Sequence, residues 1–569
     1  MKVILAAINA KYIHSNLAVY SLKRYAEIYG AKSCHIVIGE YTINQQTEDI
    51  LMDLYMQKPD MICFSCYIWN LVYVEELVKE IRKVMPEIFI WLGGPEVSYD
   101  CKSVLTRLPE LTGVMFGEGE ATFLELLLAY DVKSGCELEE IKGLCYRGED
   151  EQIKINACRE ALDLSTVPFV YENMELFQHK IIYYETSRGC PFLCSYCLSS
   201  IEKKLRFRSF ELVKLELQFF LDQKVHQVKF VDRTFNCSKE HAMKVWGYLQ
   251  EHDNGITNFH FEIAADLLDD EEVELIRKMR PGLIQLEIGV QSTNQQTLKE
   301  IRRTMKFSKV QSVVKAIKEK GNVHQHLDLI AGLPYEGYQS FAQSFNEVYG
   351  LYPEQLQLGF LKVLKGSYME QQQIAYGLVY KHTPPYEVLV TNWLSYEEVI
   401  KLKRIEAVLE IYYNSGQFQK TLQLLGAVFD TSFQFYEALS NYYEKHSGYL
   451  TGQSRVSRYE GLLNFAKEVD PKQVHMYTEL LIYDLYLREN MKTRPEFAGE
   501  YKITKKELQE FYDRESREHL YLKGYENYDQ RQLRKMTHVE RFEYSGETIL
   551  FDYRNRNPLT NQAAVFQLE

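Results

Sequence analysis

Short apolar runs alternate with helix-period stretches through the first 130 residues. Residues 2–8, 34–38, 61–65, 88–92 and 113–116 read as strands, and 17–29, 48–56, 72–84 and 122–130 as helices. Such alternation predicts a parallel α/β sheet. Ligands of these sheets sit beyond the carboxyl ends of the strands. From 131 to 179 the alternation lapses, and the segment reads as a connector. It contains a candidate hairpin, 143–147 and 152–156, around a charged turn. Alternation resumes with strands at 180–186, 227–232, 258–264, 283–290, 323–330 and 356–361. Six βα units predict an open, partial (β/α)6 barrel with its site at the carboxyl ends of the strands. From about residue 386 the period becomes helical, over 396–413, 421–443 and 457–487, with a strand at 548–553. The predicted division is 1–130, an α/β domain; 131–179, a connector; 180–385, the barrel; and 386–569, a mostly α domain.

Composition narrows the class. Hydrophobic residues make up 46% and charged residues 25%, ordinary globular usage that excludes a disordered or collagen-like chain. The formal charge of −13 argues against a broad electrostatic grip on nucleic acid. No apolar run approaches the roughly 18–20 residues that span a bilayer. The apolar start is too short for a signal core. The expectation is a cytoplasmic protein without a membrane segment.

The cysteines change the picture more. All 11 lie at or before Cys237. An odd number confined to one part of a large chain fits metal or catalytic use better than a disulfide framework. Three of them stand in Ser187-Arg188-Gly189-Cys190-Pro191-Phe192-Leu193-Cys194-Ser195-Tyr196-Cys197, a Cys-x3-Cys-x2-Cys spacing directly after the first barrel strand. Three thiolates can ligate three irons of a [4Fe–4S] cluster and leave one iron open. An open iron can chelate a small molecule, as the open position of a catalytic zinc does. The alternative is a structural zinc site, but zinc wants a fourth ligand and this loop offers none. Cys63 and Cys66 also form a Cys-x-x-Cys, but in a strand their side chains point to opposite faces. They read as buried structural residues.

The cysteine loop and the strands after it resemble the radical S-adenosylmethionine (SAM) superfamily. Phe230-Val231-Asp232-Arg233-Thr234-Phe235 resembles the second-strand motif of its cobalamin-type branch. Phe261-Glu262-Ile263-Ala264-Ala265-Asp266 resembles the third strand. Leu286-Glu287-Ile288-Gly289-Val290-Gln291-Ser292 resembles the strand whose polar residues meet SAM, and Asp328 to Pro334 the fifth-strand turn. The resemblance implies that Cys190, Cys194 and Cys197 hold the cluster. It also implies that the open iron binds SAM and that an electron cleaves SAM to a 5′-deoxyadenosyl radical. Tyr196 would lie against the adenine; Asp232, Glu262, Glu287 and Gln291 would contact cofactor. One departure is the missing Gly-Gly-Glu after the second strand, where Asp232-Arg233-Thr234 stands.

The first domain resembles the Rossmann-like cobalamin-binding domain that precedes this barrel in one branch. The segments are Asn9 to His14, Phe64-Ser65-Cys66-Tyr67, Trp91-Leu92-Gly93-Gly94-Pro95-Glu96 and Gly117-Glu118-Gly119-Glu120. The resemblance places Ser65, Gly93, Gly94, Gly117 and Glu118 at cobalamin. Glycines there let backbone approach a bulky ring. The cobalt-ligating Asp-x-His-x-x-Gly pattern is absent, so His14 reads as a surface residue at a helix start rather than an axial ligand. The last region resembles a bacterial domain of unknown function.

Together these imply a radical SAM enzyme with bound cobalamin that methylates an unactivated carbon of an unspecified substrate. It would be served by a reducing partner such as flavodoxin or ferredoxin. Two alternatives stand beside it: a non-methylating cyclase or rearrangement enzyme, and a non-catalytic cofactor-binding sensor.

Overall fold

The computed structural model describes residues 1–131, 135–201, 203–446 and 454–568. Its first sheet has strands β1 (Lys2–Asn9), β2 (His35–Thr42), β3 (Met61–Ser65), β4 (Phe89–Gly93), β5 (Gly113–Met115), β6 (Leu144–Arg147) and β7 (Ile153–Ile155). Their order is β2-β1-β3-β4-β5-β6-β7. The first five are parallel, and the last two add an antiparallel hairpin on β5. The sheet therefore reaches Ile155, beyond the limit of 130 read from the alternation. The hairpin was legible, but its pairing with β5 is a long-range event.

Helices cover both faces of this sheet. Ile62, Phe64 and Cys66 pack with Val74, Val78 and Ile81 on one side. Met61 and Cys63 pack with Phe123 and Leu126 on the other. Cys63 and Cys66 are thus buried in different layers, and both are free thiols. Strand alternation dictates this separation.

The second sheet is the partial barrel. Its strands are β8 (Ile182–Tyr184), β9 (Gln227–Phe230), β10 (Asn258–Ile263), β11 (Ile284–Gln291), β12 (His324–Ala331) and β13 (Gln355–Phe360). They are all parallel and pair in chain order, with β8 and β13 at the edges. Phe259, Phe261 and Ile263 face the outer core. Alternation then turns His260 and Glu262 inward. A register shift between Gly289 and Gln291 ends the ladder of β11, where Gln291 takes a φ of +72°.

The third region is mostly helical and covers the β13 edge. Helix Tyr396–Leu409 runs into a π turn at Glu410–Asn414. The Asn414 amide accepts from Leu356 N at 3.0 Å and donates to Leu356 O at 2.9 Å. An edge strand is thereby closed by a side chain. Two predicted helices are each broken in two. The segment 421–443 divides into Gln419–Gly426 and Ser432–His446, the second opened by Thr431 Oγ1 accepting from Gln434 N at 3.2 Å. The segment 457–487 divides into Arg455–Val469 and Val474–Arg488 at Pro471, whose missing N–H cannot continue the ladder. The chain closes with an antiparallel sheet of Thr537–Arg541, Thr548–Arg556 and Ala563–Leu568. Among the described residues no helix is long and apolar enough to cross a membrane.

Candidate functional site

A cavity of about 1240 Å³ lies between the carboxyl edge of the first sheet and the mouth of the barrel. Ser65, Gly93, Gly94, Gly117 and Glu118 line it from one side, and Lys229, Arg233 and Glu262 from the other. Gly94 has a φ of +109°, and a Cβ there would meet Cys66 O at 2.5 Å. Only glycine fits that crossing. Gly117, at φ +78°, has nothing within 4 Å of a would-be Cβ and faces open space. Ser65 Oγ accepts from Asn16 Nδ2 at 3.1 Å.

Two first-domain residues differ from their sequence reading. Glu118 is not free for a cofactor: its carboxylate accepts from Leu162 N at 2.8 Å and from Arg206 Nη1 at 3.2 Å, and Arg188 lies at 3.5 Å. It ties the first domain to the cysteine loop. His14 is not a surface residue but half-buried, with Nδ1 at 2.6 Å from the Tyr183 hydroxyl on β8. Burial and the nearby lysines lower its pKa, so the ring is neutral and already engaged.

The cysteine loop leaves β8 and turns at Gly189, φ +95°, where a Cβ would meet Lys204 O at 2.5 Å. Cys190 and Cys194 are buried and Cys197 is partly so. Cys190 feels the charges of both Cys197 and Cys194, so the three thiols converge on one site. Three soft thiolates on one short loop form a donor set that fits an iron–sulfur cluster.

Asp232 departs from its expected cofactor contact. It is fully buried and turned to the outer face of β9, because alternation sends Lys229 and Val231 toward the cavity. Its carboxylate accepts from Thr186 N at 3.0 Å, Thr186 Oγ1 at 2.7 Å and Ser187 Oγ at 2.5 Å. Burial raises its pKa to about 6 against those hydrogen bonds. It anchors the root of the cysteine loop. Thr234 Oγ1 lies 3.9 Å from Cys190 Sγ.

Arg303 is a site residue that the sequence reading missed. Its Nη1 lies 3.7 Å from Cys194 Sγ and 3.4 Å from the Tyr196 hydroxyl, and Nη2 donates to Gly289 O. Nothing local marks it among 66 basic residues, and it reaches the loop from 109 positions away.

The barrel lumen is polar. Glu287 lies 3.1 Å from both Lys229 Nζ and His260 Nε2. Burial pushes its carboxyl up, but the His260 hydrogen bond and the Lys229 and His326 charges outweigh it and hold the pKa at about 2. Glu287 is thus held in an internal ion pair with Lys229. The Glu287–His326–Asp328 group carries its own cation in Lys229, which supplies the charge a metal would bring. Glu262 faces the cavity; burial first, then the Glu287 charge, raise its pKa to about 7. Gln291 Oε1 is buried and has no hydrogen-bond partner among the described residues. An orphaned acceptor of this kind at a strained backbone position fits a cofactor hydroxyl or amine.

Fold and site define a radical SAM barrel behind a cobalamin-type α/β domain. Comparison with known families agrees. The B12 binding domain matches residues 3–127, the radical SAM superfamily 184–348, and a protein family of unknown function, DUF4080, 374–560. The chain is a B12-binding-domain radical SAM protein with a C-terminal domain of unknown function. It is 24% identical over 379 residues to an uncharacterized methyltransferase of Pyrococcus horikoshii, covering 64% of this chain and 77% of that one. It is 24% identical over 252 residues to the anaerobic magnesium-protoporphyrin IX monomethyl ester cyclase of Synechocystis, covering 42% of this chain and 49% of that one. The match thus spans about half of the cyclase's length. The cobalamin-dependent SAM radical enzyme OxsB with aqua-cobalamin bound shares the fold, with a TM-score of 0.61, 16% identity, and 90% and 84% of the two chains covered.

Proposed function

We propose that this protein is a cobalamin-dependent radical SAM methyltransferase acting on an unactivated carbon. The observation that carries the reading is the single cavity shared by the glycine loops of the first domain and the barrel mouth. When bound, the cluster supplies the electron that splits SAM to a 5′-deoxyadenosyl radical, and cobalamin supplies the methyl group.

The chain's own residues would divide the remaining work. Cys190, Cys194 and Cys197 hold the cluster, on a loop that Asp232 anchors through Thr186 and Ser187. Tyr196 is fixed beside it by Arg303. Gln291 and Glu262 face SAM from the barrel. Ser65, Gly93, Gly94 and Gly117 present a close backbone floor to the corrin. The Glu118 ion pairs hold that floor to the cysteine loop and help exclude water. The limits 1–130, 131–179, 180–385 and 386–569 are proposed for the cobalamin unit, connector, barrel and helical unit, the connector's hairpin adding two strands to the first sheet. An electron carrier of the flavodoxin or ferredoxin kind would supply the reducing equivalent.

A second reading is ring closure without methyl transfer, favoured by the likeness to the cyclase. Anaerobic reconstitution with iron, sulfide and hydroxocobalamin tests both. A protein that takes up neither cluster nor cobalamin would refute the proposal. S-adenosylhomocysteine formed alongside 5′-deoxyadenosine indicates methyl transfer, whereas 5′-deoxyadenosine alone indicates the second reading.

A further inference from the structure

Charge pairing at the cavity wall is nearly complete, and all but one of its exceptions are cations. Arg159, Arg188 and Arg208 are each paired with a glutamate. Lys229 is paired with Glu287. Arg233 lines the same cavity, is exposed, and its side chain makes no hydrogen bond or ion pair with any described residue. Lys203 and Lys204 are exposed on the same wall, also without a described partner. The one acid on the wall without such a partner is Glu262, whose carboxyl is only partly ionised near neutrality. The uncompensated charge is therefore positive, in a chain whose net charge is −13.

Arg233 is also held at its root. On one side Asp232 is buried in hydrogen bonds to Thr186 and Ser187. On the other, Thr234 Oγ1 lies 3.9 Å from Cys190 Sγ. The Arg233 charge acts on Tyr67 of the first domain and on Glu262 of the barrel, so it stands between the two walls. A guanidinium on a fixed stem offers a planar fork of donors that matches a carboxylate or phosphate.

We propose that Arg233, assisted by Lys203 and Lys204, binds an oxyanion of a ligand held between the two domains, and that the substrate is accordingly a carboxylate- or phosphate-bearing molecule. This rests on the cavity being the reaction chamber. The same chemistry could come from the carboxylate of SAM itself.

The test uses the full chain, reconstituted with cluster and cobalamin, and measures equilibrium binding of succinate, pyrophosphate, SAM and decarboxylated SAM. Arg233→Gln should weaken succinate or pyrophosphate binding about ten- to hundredfold, with partial recovery in Arg233→Lys. Unchanged SAM affinity in Arg233→Gln then assigns the anion to the substrate. A fall for SAM but not for decarboxylated SAM assigns it to the cofactor, supporting the oxyanion site and overturning the substrate claim. Wild-type binding of all four ligands by Arg233→Gln overturns the proposal. Cluster and cobalamin spectra report on folding and loading independently. Their absence would sink the proposed function, while anion binding by the chain is still read.

Discussion

The Thr186 hydroxyl donates to the Asp232 carboxylate at 2.7 Å, joining the second barrel strand to the residue just before the cysteine loop. The Thr186 backbone N–H and the Ser187 hydroxyl complete the cradle. The loop that carries three thiolates is thus hung from a buried acid rather than from its own turn.

Asp232→Ala should leave the Thr186 N–H and the Ser187 hydroxyl unsatisfied, while the Thr186 hydroxyl keeps His241 Nε2 at 2.9 Å. A cost of about 1–3 kcal/mol per orphaned group is expected. Chemical denaturation of the aerobic chain should show the loss, and iron content after reconstitution should fall with it. Because the folded pKa, about 6, is raised above the ordinary 3.8, Asp232 contributes stability that is fully present below pH 3.8. That contribution is lost as pH rises through about 6. Asp232→Ala should remove this slope; an unchanged pH dependence would exclude the assignment.

Arg303 places a half-buried cation 3.7 Å from Cys194 Sγ. A positive charge at that range favours the reduced, more negative state of a reconstituted cluster. The bare pair is worth about 4 kcal/mol at an effective dielectric of about 20, less once the surroundings relax. Arg303→Gln should lower the cluster potential by tens of millivolts in an EPR-monitored titration, and Arg303→Lys should restore part of it. Equal potentials in all three proteins would leave Arg303 a packing residue.

Two glycines separate backbone strain from ligand contact. Gly94→Ala forces a Cβ to 2.5 Å from Cys66 O at a φ of +109° and should destabilise by about 2–4 kcal/mol. Gly117→Ala meets no protein atom within 4 Å, so its cost is the positive φ alone, about 1 kcal/mol. Thermal unfolding measures both. Hydroxocobalamin uptake should fall in Gly117→Ala beyond what its stability explains; uptake equal to wild type would remove Gly117 from the cobalamin floor.

Glu262 titrates near neutrality, with a pKa raised to about 7. SAM affinity should change with a midpoint near pH 7 and become flat in Glu262→Gln. The stability contribution of this raised acid is present below its ordinary 4.5 and lost as pH rises through 7. An identical pH profile in wild type and variant would show that Glu262 does not face the ligand.

The sequence by itself determined the parts that repeat locally. Short apolar runs marked all six barrel strands and the five parallel strands of the first sheet, in which side chains alternate between the two faces. The spacing of Cys190, Cys194 and Cys197 marked the cluster loop. The same periodicity placed Cys63 and Cys66 on opposite faces. Helical periodicity alone overran Pro471, whose breaking effect outweighs the apolar pattern around it. Tertiary structure decided which polar groups remain free. Glu118, Glu287 and Asp232 all looked available, yet Arg206, Lys229 and Thr186 engage them across the fold. Arg303 reaches Cys194, and the Arg233 side chain has no partner among the described residues, for the same reason. A side chain's partners are set by strand register and domain docking, and no local pattern records those.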